Sequence, residues 1–168
     1  MAAPPRFILT ILPLTLATAT IGLYSIVATL FWGRVLFGVP LDVEEPVLFA
    51  LSLPATTLGL GLLGLVLAST FVLYRHANAF SNLLEYPIWL ITGLLVPVSL
   101  LPGFVTPLSW VLAPTWGVKA VRESALGGDA LFAIAMCLVL SAAYLAIGWV
   151  TMANFERLAR QQATLSLT

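Results

Sequence analysis

The charges in this chain leave four long gaps, and those gaps decide what it can fold into. No Asp, Glu, Lys or Arg occurs in residues 7–33, 46–74, 86–118 or 130–155. About 20 apolar residues cross a bilayer core, and 18 or more without charge mark a candidate transmembrane helix. Each gap exceeds that length. Charged residues make up only 8% of the chain, against about 25% in soluble domains, so no water-facing globular surface can be assembled. The expected fold is therefore all-α: a polytopic helical membrane domain spanning 1–168, with crossings at about 7–32, 47–74, 84–101 and 130–153. A cleaved signal peptide is the alternative for the first gap, since Ala17-Thr18-Ala19 follows an apolar core behind Arg6. The apolar run continues past that site to Trp32, which favours a retained span.

With four crossings both termini share a side. That side carries Arg6, Arg75, Arg157 and Arg160, and the other carries Arg34, Lys119 and Arg122. The excess of basic residues places both termini in the cytoplasm of a multi-pass cell-membrane protein, and places Asp42, Glu44, Glu45 and Asp129 outside. Trp32, Tyr74, Tyr86, Trp89, Trp110, Trp116 and Trp149 fall near the expected interfaces, as an aromatic belt does.

The motifs exclude more than they assign. Gly59-Leu60-Gly61-Leu62-Leu63-Gly64 spells a dinucleotide fingerprint, but it lies inside an uncharged run, where the backbone amides are already committed to helix hydrogen bonds and not to the strand and helix start the fingerprint needs. Gly59, Gly61, Gly64 and Ala68 are expected instead to let membrane helices approach closely. There is no P-loop, and Lys119 is the only lysine. His76 has no second ligand nearby, Cys137 stands alone, and no G-x-S-x-G elbow occurs. We therefore expect no catalytic residue, no metal and no cofactor in this chain. The balance of seven basic and seven acidic residues implies no nucleic-acid partner. Intramembrane Asp, Glu or His, the usual mark of proton-coupled transport, is missing from all four runs. Any transport would draw its energy from a partner, while an inert scaffold would show the same absence.

Between the third and fourth spans the chain is dense in helix breakers: Pro102, Gly103, Pro107, Pro114 and Gly117. Each proline removes a backbone hydrogen bond, and irregular backbone at membrane depth survives only where protein or water surrounds it. The gap at 86–118 holds 33 residues, about 50 Å as one helix. That is too long for one crossing of a core about 30 Å thick and too short for two. A re-entrant hairpin at about 102–122, entering and leaving on the outer side, satisfies the count. Pro102, Gly103, Pro107, Trp110, Pro114, Trp116 and Arg122 are its candidate gate residues, Arg122 anchoring it at the interface by snorkelling.

This stretch, from Leu101-Pro102-Gly103 through Pro107-Leu108, Trp110, Pro114 and Trp116 to Arg122 and Gly127-Gly128, resembles the C-terminal signature of ABC-2 type permeases, the membrane subunits of exporters for drugs, polysaccharides and similar cargo. Asn82-Leu83-Leu84-Glu85-Tyr86-Pro87 and Phe155-Glu156-Arg157-Leu158-Ala159-Arg160 are similar to the same group. Lys119 departs from the pattern, where an acidic residue is more usual. The resemblance implies a permease of an ATP-driven exporter that works with a separate ABC ATPase subunit, and as a homodimer or with a complementary permease half, in the lipid bilayer. Members of the family usually have six spans, so the four here match the last four. A truncated or split permease is the expectation; a start site placed too late, or a degenerate remnant, would leave the same four spans. The rival from another class is a non-transporting membrane scaffold or assembly protein.

Overall fold

The computed structural model describes residues 7–38, 40, 42–71, 83 and 86–165. Among these residues every regular element is helical and no strand occurs. Helix α1 covers Phe7–Phe37 and α2 covers Pro46–Phe71. A short helix, α3, occupies residues 86–91. A 3₁₀ turn at Val98–Leu100 follows, then α4 (Thr106–Val111), α5 (Ala113–Leu126) and α6 (Ala130–Leu165). Three helices are long and apolar enough to cross a membrane, over Pro13–Phe37, Pro46–Thr70 and Ala130–Asn154. The expected end of the second span, the loop carrying Arg75 and His76, and the start of the third span lie outside the described residues.

The third helix ends sooner than the sequence suggests. Helix was expected to continue to Leu101, but the last α-helical residue before the break is Ile91. Gly93 adopts φ +78°, the left-handed conformation that only glycine takes at little cost. The Leu94 amide then donates to Trp89 O and the Gly93 amide to Leu90 O, the paired bonds of a Schellman stop. Pro97, four residues on, blocks any resumption of the ladder.

Contacts along the helices fix their directions. The Cys137 thiol donates to Ala55 O, and Thr151 Oγ1 donates to Ser69 Oγ, so α2 and α6 run parallel in steady register. Gly22 faces Thr57, while Gly61 faces Ala19 and Thr15; α1 is therefore antiparallel to α2. Gly59 faces Ala113 and Gly117 faces Thr56, so α5 is also antiparallel to α2. At one end of the bundle, here the upper end, the α1–α2 loop meets the end of α5. The Glu44 and Glu45 amides donate to Ala125 O and Ser124 O, filling carbonyls that a helix terminus leaves open. Asp129 begins α6 at this same end, its carboxylate accepting from the Phe132 amide at 3.2 Å, an N-cap.

Candidate functional site: a hairpin held at half depth

Helices α4 and α5 form a hairpin whose bend lies deep in the bundle. Ala113, the first residue of α5, packs against Gly59 and Tyr144. Gly59 is the fourteenth of the 25 residues Pro46–Thr70, and Tyr144 the fifteenth of the 25 residues Ala130–Asn154. The bend therefore sits beside the midpoints of both long helices. From there α5 rises to the upper end, where the α1–α2 loop fastens it. Ile88 of α3 packs on the cluster that includes Leu65, Ala113 and Tyr144. Gly93, five residues further, meets Arg122, so α3 also rises.

The bend follows from Pro114. A continuous helix would pair the residue-114 amide with Trp110 O, and proline has no such amide. Leu112 instead adopts an extended conformation (φ −87°, ψ 114°), and three backbone groups lose their helical partners. Side chains replace all three. Trp116 Nε1 donates to Trp110 O at 2.9 Å. The Tyr144 hydroxyl donates to Val111 O at 2.7 Å and accepts from the Ala113 amide at 3.3 Å. The bond to Trp110 O is exposed, whereas a buried group such as the Ala113 amide would cost about 1–3 kcal/mol without its partner. No sequence motif points to Tyr144. Its one signal is its place in mid-span, where a tyrosine must set its hydroxyl against a polar partner.

Close packing locks α5 in place. Ala113, Pro114, Thr115, Gly117, Ala120 and Ser124 are buried, although α5 is the least apolar of the longer helices. A Cβ on Gly117 would lie 2.7 Å from Thr56 Oγ1 and 2.9 Å from Thr56 Cα; only glycine permits this approach. Gly117 is thus a contact inside a helix, not the breaker expected. Gly59 faces Cys137, Ser141 and Ala113, and Gly61 faces α1. Gly64 and Ala68 differ. Gly64 has open space around it and Ala68 is exposed, so that pair meets no helix of this chain among the described residues.

The remaining candidate residues divide by depth. Pro102, Gly103 and Pro107 are exposed in the connection leading to α4 and in its first turn. Trp110 is exposed on α4, and Trp116 stacks edge-on against Phe132. Arg122 Nη2 donates to Gly93 O at 2.8 Å, placing a cation on the C-terminus of α3, where the helix dipole favours it. Lys119 lies 5.0 Å from the centroid of the Trp116 ring and 3.7 Å from Glu123 Oε1. A cavity of about 350 Å³ separates residues 92–99 from α4 and α5, with Arg122, Lys119, Trp110 and Trp116 in its wall. No group of three or more His, Cys, Asp or Glu side chains is placed to hold a metal ion among the described residues.

Three apolar helices of membrane length, two of them packed against the α5 arm of a broken hairpin, define a multi-pass membrane protein. The family model of the ABC-2 type transporter matches residues 2–126, three-quarters of the chain and all of the hairpin. The chain belongs to the ABC-2 type transporter family, as a membrane-embedded permease component. Neither a curated protein nor a solved structure matches it.

Proposed function

We propose that the chain is a permease subunit of an ATP-driven exporter, that it crosses the membrane four times, and that α4–α5 is a re-entrant outer gate. The observation that carries this reading is the bend at Leu112, held at the half-depth of α2 and α6 with both arms directed to one end. The upper end is then the exterior face, and both termini lie in the cytoplasm. The third crossing includes α3. The hairpin closes the outer side of the path. Family membership supports a division of labour in which hydrolysis belongs to a separate ABC ATPase, since this chain carries no P-loop of its own. The permease pairs with a second copy or a complementary half. Closure of the ATPases on ATP shifts the balance between inward- and outward-open states of the membrane pair. Because α5 is tied to α2, α6 and the α1–α2 loop together, movement between α2 and α6 would be felt at the hairpin.

Affinity purification of the full chain from its native host in mild detergent tests the partnership. An ATPase bearing a Walker motif should co-purify in stoichiometric amount. Recovery of the chain alone, from cells expressing such ATPases, would favour a scaffold that does not transport.

A further inference from the structure

We propose that the cavity between residues 92–99 and the α4–α5 hairpin binds the phosphate of an anionic lipid of the outer leaflet, held by Arg122 and Lys119. The inference rests on the re-entrant reading above, and four observations lead to it.

The first is charge. Arg122 spends one donor on Gly93 O, and a guanidinium has five. Lys119 is only loosely paired with Glu123, at 3.7 Å, and its side chain is half exposed. One acid against two bases leaves the wall with a net positive charge. The second is depth. Arg122 lies nine residues above Ala113 on α5, a rise of about 13 Å. Half of a hydrocarbon core is about 15 Å, so a bend at the midplane puts the guanidinium just under the headgroups. The third is the rim. Leu100, next in the chain to the cavity-lining Ser99, is 74% exposed, and no helix of the chain covers it among the described residues. A ligand seated here would meet cations within and an apolar side chain outside, which is the polarity of a phospholipid and not of a free anion. The fourth is Trp110 on α4, 63% exposed and part of the cavity wall, as aromatic side chains are where headgroups begin.

A bound phosphate would engage the guanidinium donors that Gly93 O leaves open, in hydrogen bonds between two ionised partners. The lipid would then bridge α5 to the end of α3.

The test uses the full chain in phosphatidylcholine nanodiscs, with Trp32, Trp89 and Trp149 replaced by Phe, so that Trp110 and Trp116 report. Brominated phosphatidylglycerol or brominated phosphatidylcholine is titrated as a minority lipid. Phosphatidylglycerol should reach half-maximal quenching at a concentration about fivefold lower. K119Q should reduce that preference and R122Q should abolish it, while R122K retains most of it. Because R122Q also removes the bond to Gly93, K119Q carries the test if R122Q fails to fold. Equal quenching by the two lipids would overturn the site and leave the re-entrant reading standing. Absence of quenching by either would overturn the reading beneath it. Reversal of the preference by inorganic phosphate would show a soluble anion as the ligand and contradict the lipid assignment.

Discussion

Helix α1 and the α4–α5 hairpin meet the same solvent problem in opposite ways. Of the best apolar window in α1, none is buried within the chain, against 50% in α2 and 33% in α6. Ile21, Tyr24, Phe31 and Phe37 all stand exposed on it. The hairpin is shorter, more polar and broken in the middle, yet α5 is buried along a whole face. Hydrophobicity alone would assign the two elements the other way round. The difference lies in the backbone. An unbroken helix satisfies its own amides and carbonyls and can stand in lipid with few neighbours. A broken one cannot, and must be enclosed by protein. Tyr144 and Trp116 supply the missing bonds, and the close approach at Gly117 supplies the enclosure.

Substitutions can break this contrast, and their expected effects fall in a clear order. Gly117→Leu should be the most damaging, because its side chain would collide with Thr56 backbone and drive α5 from α2. A loss of about 3 kcal/mol or more is expected from overpacking of this kind, read as a large drop in the thermal unfolding midpoint in detergent. Tyr144→Phe keeps the ring and removes the hydroxyl, leaving Val111 O and the Ala113 amide without partners. Hydrogen bonds in bilayers average about 0.6 kcal/mol, and two buried orphans together should cost about 1–2 kcal/mol. The same unfolding assay would measure it, and a stability equal to the parent would mean that the bend is not sheltered by this residue. Gly64→Leu should be nearly silent, within about 0.5 kcal/mol, because among the described residues no neighbouring element lies within 4 Å of its added carbon. A large loss there would instead reveal a neighbour on the outward face of α2.

Much of the architecture was legible from one property, the spacing of charge. The gaps at 7–33, 46–74 and 130–155 are where the three helices long and apolar enough to cross a membrane begin, because an uncharged run of that length has no other way to satisfy its backbone in an apolar solvent. Pro114 was legible for the same reason that it acts: a missing amide has local and unavoidable consequences. The glycines were less so. Gly93, Gly103 and Gly117 look alike in sequence, yet one ends a helix, one sits in an exposed turn and one is a packing contact. Glycine permits all three, and the choice is made by neighbours distant in the chain, Thr56 for Gly117 and Arg122 for the carbonyl of Gly93. That is also why the helix break was expected at Pro102-Gly103 and occurs at Gly93. Tyr144 is the extreme case. Its role depends on Val111 and Ala113, more than 30 positions away, and no short-range pattern announces such a pairing.

The central claim is that the hairpin enters from the same side as the α1–α2 loop and returns to it without crossing. Impermeant thiol labelling of intact cells tests this most directly, using single cysteines at Asp42, Thr106, Ser109 and Asp129 in a Cys137→Ser background. Positions 42, 106 and 129 should react from the exterior, while 109, fully buried at the foot of α4, should stay shielded. Labelling at 42 together with labelling at 129 only after the cells are opened would put an odd number of crossings between them instead of two, and a hairpin that returns to the side it entered would be contradicted.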